Sequence, residues 1–290
     1  MRGQTFRIMA LLVAIVLVVS MFSLLLTPTA VSSFSNNSSS SPAALLLFGK
    51  DGVSKSFTCP TISGADSSVC SSNWSGWADT GSSDSVSAAY GSWKVPSLAC
   101  PRHGTTYVAL WVGIDGYSDS TVEQTGVLGE CSNGIASYSA WYEFYPNPLV
   151  TISSVSVSPG DVVNARVTYS SNEFTTTITN VNTGVSYSAS ASVSGAQRTS
   201  AEWIVERPAL CTGGVCRLST LANFGTGYLG QDSTGVTGTN YAMINGVNES
   251  MGYSSFTTAA ITMVASSTGP ILAQPSGLSI DNTSFTVTYA

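Results

Sequence analysis

From Asn73 onward, short runs rich in Val, Ile, Thr, Tyr and Trp alternate with clusters of Gly, Asn, Asp and Pro. The clusters recur roughly every 8–12 residues, the spacing of an all-β sandwich or barrel. No run carries apolar residues at helical spacing. Phe174–Thr179 and Val185–Val193 flank Asn180-Val-Asn-Thr-Gly184, which predicts a hairpin. A strand over Val162–Tyr169 follows the turn Ser158-Pro-Gly-Asp161, and late strands are predicted over Thr257–Val264 and Ser284–Tyr289. Many of these segments alternate a small hydroxyl residue with an apolar one, so one sheet face packs and the other presents Ser and Thr. The expected fold is all-β, a lectin-like or jelly-roll-like sandwich of two antiparallel sheets.

The N-terminus reads differently. Arg2 and Arg7 precede an apolar run from Ile8 to Leu26, followed by a Ser/Asn-rich stretch. The expected organisation is a signal peptide or membrane anchor over residues 1–30, with residues 8–26 as the anchoring run. A Ser-rich linker or propeptide over 31–72 follows, then a β-sandwich domain over 73–290. The linker contains an apolar patch, Ala43 to Phe48. Basic residues ahead of the run place the remainder outside the cytoplasm. In that oxidising setting the six cysteines are expected to pair. The short Cys211–Cys216 loop is the first choice, with Cys59–Cys70 and Cys100–Cys131 the simplest remainder. Asn-x-Ser/Thr acceptors stand at Asn36, Asn37, Asn73, Asn248 and Asn282.

Composition narrows the function. Charged residues make up 9% of the 290, against roughly 25% in an ordinary soluble domain. The polar surface must come from 50 Ser and 31 Thr. A net charge of -6 with ten Lys plus Arg leaves no basic face for phosphates, so no nucleic-acid partner is expected. Six Trp, 12 Tyr and 10 Phe are too many aromatics for a disordered chain. The one histidine, His103, lies in a turn-like stretch, and no G-x-S-x-G elbow exists to pair with it. It is expected to be a surface loop residue, and no metal or cofactor is expected.

Four segments concentrate aromatics, acids and amides: Asn73-Trp-Ser-Gly-Trp77, Trp111-Val-Gly-Ile-Asp-Gly116 running on to Gln124-Thr-Gly126, Ala140-Trp-Tyr-Glu-Phe-Tyr-Pro146 and Ala201-Glu-Trp-Ile-Val-Glu206. Strand parity puts Glu202, Ile204 and Glu206 on one face and Ala201, Trp203 and Val205 on the other. The second set is core. The first brings two carboxylates to one sheet surface in a chain that otherwise avoids charge.

In order and spacing, Trp111-Val-Gly-Ile-Asp-Gly116, Gln124-Thr-Gly126, Trp141-Tyr-Glu-Phe-Tyr-Pro146, Ser158-Pro-Gly-Asp161 and Ala201-Glu-Trp-Ile-Val-Glu206 resemble the glutamic peptidase (eqolisin) family. Asn73-Trp-Ser-Gly76 and Trp93-Lys-Val-Pro96 fit as well. The resemblance implies a two-sheet sandwich with a substrate cleft on the concave face, a secreted acid-active endopeptidase, and Gln124 and Glu206 as its catalytic pair. Ionised, Glu206 takes a proton from water and returns it to the leaving nitrogen, while the Gln124 amide holds the oxyanion. Trp74, Trp111, Asp115, Trp141, Tyr142, Glu143 and Glu202 are the candidate substrate-binding and positioning residues. The implied partners are protein or peptide substrates met by a monomer. The cysteine that some members carry between the Asp-Gly and Gln-Thr-Gly motifs is absent here.

Other readings compete. Asp79-Thr-Gly81 matches the motif of pepsin-like peptidases but has no second copy to share a proton with, and a hairpin turn is the better reading. A lectin-like glycoside hydrolase would use two carboxylates such as Glu143 and Glu206. A non-catalytic cell-surface binding module is the third. From Asn73 onward only six Lys and Arg face fourteen acids. In acid little positive charge accumulates, so the domain is expected to stay folded at a pH that unfolds ordinary domains.

Overall fold

The computed structural model describes residues 45–47, 59–212, 215–266 and 269–290. The hydrophobic run 8–26, most of the 31–58 segment and the acceptors Asn36 and Asn37 lie outside the described residues. Among these described residues, twenty strands and one single-turn helix follow in order. The first eight are β1 (Leu45–Leu47), β2 (Ser67–Ser71), β3 (Trp74–Thr80), β4 (Val86–Lys94), β5 (Thr105–Ile114), β6 (Val122–Ser132), β7 (Ile135–Tyr145) and β8 (Val150–Ile152). Then come β9 (Val162–Ser170), β10 (Glu173–Asn180), β11 (Val185–Ala191), β12 (Ser200–Glu206), β13 (Ala209–Thr212), β14 (Val215–Leu218) and β15 (Thr226–Gly230). Helix α1 (Gln231–Thr234) precedes β16 (Tyr241–Ile244), β17 (Val247–Ser250), β18 (Thr257–Val264), β19 (Ile271–Pro275) and β20 (Ser284–Tyr289).

The pairings run β8-β7-β6-β5-β12-β3-β18 through one layer and β19-β20-β15-β4-β9-β10-β11 through the other. The β18–β19 ladder joins the two, giving a sandwich that approaches a barrel. The ladders are antiparallel except β2, which lies parallel to β18. The hairpin and strands expected from sequence over 162–193, 257–264 and 284–289 are present with small shifts at their ends.

Residues ahead of Asn73 belong to the same body. Cys59 is bonded to Cys70 in β2, and Ile62 is buried within the core. The other two bridges are the expected Cys100–Cys131 and Cys211–Cys216.

Alternation decides what each strand buries. Phe174, Thr176, Ile178 and Asn180 of β10 turn inward, while Thr175, Thr177 and Thr179 face out. The outward set hydrogen-bonds across to Ser190, Ser188 and Ser186 at 2.9 Å each, the hydroxyl surface that replaces charge. Between the layers lies the main core, including Trp77, Trp93, Leu110, Val112, Trp203 and Val205. The indole Nε1 of Trp203 donates to Tyr90 O at 2.8 Å, so its buried polar atom is satisfied. Strands β3 and β12 are instead buried on both faces. Their outer face carries a second apolar cluster containing Trp74, Ala109, Trp111, Trp141 and Ile204.

The sparse charges fall into two groups. Among the described residues one salt bridge forms, Arg198 to Asp84 at 2.6 Å, with Asp84 largely exposed. Several carboxyls are buried without a cation. Asp79 lies in β3 and is fully buried, which corrects the hairpin-turn reading of Asp79-Thr-Gly81. Parity turns it to the core side, away from the face of Glu206. Burial pushes its carboxyl up to about 7, against the Thr258 hydroxyl and Gly252 N–H. Asp115, at positive φ after β5, accepts the backbone N–H groups of Gln197, Arg198 and Thr199 and so fixes the entry to β12. Burial and neighbouring Asp119 push it to about 7. Glu123 is pushed to about 9 by burial and the Asp115 charge. Glu202 is raised well above the ordinary range by burial, with the nearby Ser200 hydroxyl acting in the opposite direction.

Two outcomes follow for stability. Replacing Trp203 with Ala should cost about 3–5 kcal/mol in urea unfolding, the usual loss for a large buried aromatic. Each raised carboxyl stays protonated in the fold at a pH where the unfolded chain, with carboxyl values near 4, has released the proton. The stability they confer is therefore complete below about pH 4 and is lost as pH rises through about 7 for Asp79 and Asp115 and about 9 for Glu123. Unfolding midpoints measured between pH 3 and 8 should fall with rising pH, and Asp79→Asn should flatten the slope by about 1.4 kcal/mol per pH unit between 4 and 7. A flat profile in the parent chain would contradict this account.

Candidate active site

Glu206 closes β12, which lies between β5 and β3, in register with Ala109 on one side and Trp74 on the other. Gln124 lies on β6, paired with Gly113 on β5 and Glu143 on β7. Trp111 occupies the row between these two levels, paired with Gly126 and Ile204. Period-2 alternation along these strands puts Trp74, Trp111, Gln124, Trp141, Glu143, Glu202 and Glu206 on the outer face of one sheet, and all seven are fully buried or nearly so.

Both carboxylate oxygens of Glu206 are held. Asn73 Nδ2 donates to Oε1 at 2.9 Å and Trp111 Nε1 donates to Oε2 at 2.8 Å. Asn73 is itself set by its neighbours. The Ser71 hydroxyl donates to Asn73 Oδ1 at 3.1 Å and accepts the N–H groups of Asn73 and Trp74, leaving Nδ2 directed to the glutamate. Trp111 stands edge-on to Trp74, ring centroids 5.0 Å apart. It also needs its neighbours to be glycine. A Cβ on Gly126 would come within 2.6 Å of Trp111 Cβ, and one on Gly113 within 2.8 Å of its Cζ3. The glycines of Trp-Val-Gly and Gln-Thr-Gly thus make room for the indole that reaches Glu206.

The other candidates separate. Gln124 Nε2 donates to Glu143 Oε2 at 2.8 Å, so Glu143 orients the amide. Glu202 shares the face of Glu206 but neither of its oxygens has a hydrogen-bond partner. Asp115 serves the loop before β12, as described above. Tyr142 does not join the set. It packs against the inter-sheet core beside Phe144 and stacks on Tyr187, because an even position on β7 faces away from Trp141 and Glu143. His103 is exposed in a loop.

Asn73 was legible only as a glycosylation acceptor and as part of an opening motif. Its burial and its bond to Glu206 remove it from the acceptors. The signal that could have found it is Ser71-x-Asn73, a side-chain turn just ahead of a strand rich in tryptophan.

A model of the Peptidase A4 family matches residues 72–273. Aspergillopepsin-2 of Aspergillus niger is 35% identical over 170 residues, 57% of this chain and 54% of the relative. Scytalidopepsin B of Scytalidium lignicola is 36% identical over 168 residues, 55% of this chain and 62% of the relative. The chain therefore spans about half to three-fifths of the length of these curated relatives. Scytalido-glutamic peptidase, solved with a transition state analog inhibitor, superposes with a TM-score of 0.61 at 25% identity over 76% of this chain and 98% of the other. With the family match extending over most of the chain and through both Gln124 and Glu206, the protein belongs to the Peptidase A4 family.

Proposed function

We propose that the chain is an acid-active endopeptidase in which Glu206 and Gln124 hydrolyse peptide bonds of protein substrates. One observation carries the reading: a single sheet face carries both a carboxylate with each oxygen held by its own donor and a glutamine amide anchored on a second carboxyl.

A water molecule loses a proton to the Glu206 carboxylate as its oxygen attacks the scissile carbonyl carbon. The Gln124 amide, oriented by its hydrogen bond to Glu143, is proposed to donate to the developing oxyanion. Glu206 then delivers its proton to the leaving nitrogen as the C–N bond breaks, which returns the carboxylate. Asn73 and Trp111 act as positioning residues, and Trp74 and Trp141 wall the face on which the substrate lies. Glu202 and Asp115 support that face and the entry to β12. A carboxylate base operates in acid, where an imidazole would be protonated. No observation favours a glycosidase over this reading, and the core-facing Asp79 does not favour a pepsin-like dyad. Residues 1–30 are proposed as an export signal or anchor and the stretch before the sandwich as a propeptide, with the protein acting outside the cytoplasm.

Protein digestion at acidic pH tests the assignment. Glu206→Gln should lower kcat by about 10²–10⁴ and Gln124→Ala by about 10²–10³, with little change in KM. An inhibitor of pepsin-like enzymes should leave the parent rate unchanged. Undiminished cleavage by either variant would overturn the dyad. Gly113→Ala should lower kcat with it, because the added methyl displaces the Trp111 indole from Glu206.

A further inference from the structure

The chain holds five Asn-x-Ser/Thr acceptors, and the fold sorts the three that lie among the described residues. Asn73 is fully buried and its amide is spent on Glu206. Asn282, in the turn before β20, has a left-handed φ of 58° and is half-buried, with Nδ2 directed inward to Gly252 O at 3.4 Å. The hydroxyl its motif requires, on Ser284, is buried and accepts the N–H of Asp232 at 2.8 Å. Asn248 differs on each count. It is exposed in β17, just past the Asn245-Gly246 turn, whose two residues both have positive φ. Strand side chains alternate, so Asn248 and the Ser250 hydroxyl of its motif share one face.

That face can be followed across the sheet by register. Asn248 is level with Met243 on β16, and the row continues through Ala88 on β4, Thr168 on β9, Thr175 on β10 and Ser190 on β11. The alternate residues of β16, Ala242 and Ile244, belong to the inter-sheet core, so the row lies on the outer surface of its layer. Glu206 and Gln124 face outward from the other layer. Next to Asn248 the surface is less polar than the hydroxyl field at β10 and β11. Met243 directly opposite and Tyr241 on the diagonal, at roughly 7–8 Å, are half-buried apolar side chains. Among the described residues β17 pairs with β16 alone, so its far edge is open, and an open edge is a template for pairing with another chain unless something covers it.

We infer that Asn248 carries an N-linked glycan whose first sugar packs on Met243 and Tyr241 and screens the open edge of β17. The bond forms between Nδ2 of Asn248 and the anomeric carbon of an oligosaccharide carried on a lipid diphosphate. The sugar–phosphate bond breaks, the lipid diphosphate leaves and Nδ2 gives up one proton. Packing the apolar face of a pyranose on Met243 and Tyr241 removes their surface from water, which seats the sugar against the sheet. The site is on the layer opposite Glu206 and Gln124, clear of the face that would receive a substrate. The inference therefore rests on the export reading of residues 1–30 and not on the peptidase chemistry.

The full chain is expressed in a yeast that glycosylates its exported proteins, beside a reporter glycoprotein and in a Glu206→Gln background that keeps the product intact. Peptide mapping of the exported, soluble chain should find a glycan on Asn248 in most molecules and none on Asn73 or Asn282. Asn248→Gln and Ser250→Ala should each abolish it, the second while leaving the asparagine in place. Enzymatic trimming to a single sugar should preserve the melting temperature of the glycosylated chain. Asn248→Gln should lower it by about 2–4 °C, the shift of one modest contact in a domain of this size. An unmodified Asn248 beside a modified reporter overturns the inference. Equal melting temperatures for the trimmed and Asn248→Gln chains overturn the seating of the sugar on Met243 and Tyr241. A chain left in the cytosol is a different result and sinks the export reading, and the same chain sent out behind the yeast's own leader then tests Asn248 by the same map.

Discussion

Glu206 is held by two donors that come from opposite neighbours of its own strand, Trp111 on β5 and Asn73 just ahead of β3. The site therefore exists only where β12 has inserted between β5 and β3. These partners are 95 and 133 residues away in sequence, so no local segment assembles the site. Asp115 serves the same end from further off, accepting three consecutive backbone N–H groups of the loop that delivers β12. Sheet order is the constraint, and the motif residues are conditions for meeting it. Gly113 and Gly126 make room for the indole, and Ser71 turns the Asn73 amide.

That insertion puts β12 in the middle of a sheet covered on both sides. Its odd positions, Ala201, Trp203 and Val205, fill the inter-sheet core, and its even positions floor the candidate active face. A strand buried twice over has no solvated side on which to place charge, yet this one carries two glutamates. Amide and indole N–H donors hold Glu206 and burial raises Glu202, with Ser and Thr taking over the outer surfaces elsewhere. Acid suits such a structure on both counts. The one salt bridge among the described residues, its aspartate largely exposed, leaves little to lose on protonation, and the buried carboxyls lose their desolvation cost once neutral.

The sequence made much of this legible, and the misses have physical reasons. Period-2 patterning in Val162–Tyr169 or Thr257–Val264 marks strands directly, because one face of each must be apolar. Parity in Ala201–Glu206 correctly split the core residues from the glutamates. Tyr142 was misplaced because its motif, Trp-Tyr-Glu-Phe, groups residues by adjacency, whereas a strand sends adjacent side chains to opposite faces. Asp79 was misread for a related reason. Asp-Thr-Gly is turn chemistry in isolation, and only the pairing of β3 with both β12 and β18 shows the aspartate to be within a central strand. The role of Asn73 depends on a contact across 133 residues, and the β1–β13 pairing on a three-residue strand. Neither leaves a periodic trace.

The two glutamates of β12 show how one face separates two chemistries. Glu202 and Glu206 are four residues apart, point the same way and are equally buried. Residue type, strand and solvent exposure therefore give no basis for choosing between them. Hydrogen bonding does. Glu206 has an amide and an indole N–H on its two oxygens, while those of Glu202 have no partner and burial keeps its proton in place. Environments that push like groups apart are how acid and base roles are allotted on a common scaffold. Here the allotment is made by the neighbouring strands. Glu206 is level with Trp74 and Ala109, one residue from Asn73 and two from Trp111, whereas Glu202 is level with Ala78 and Gly113, which bring no donor side chain. The second glutamate of Ala-Glu-Trp-Ile-Val-Glu is thus the one that the sheet holds by two donors, as the proposed working carboxylate requires.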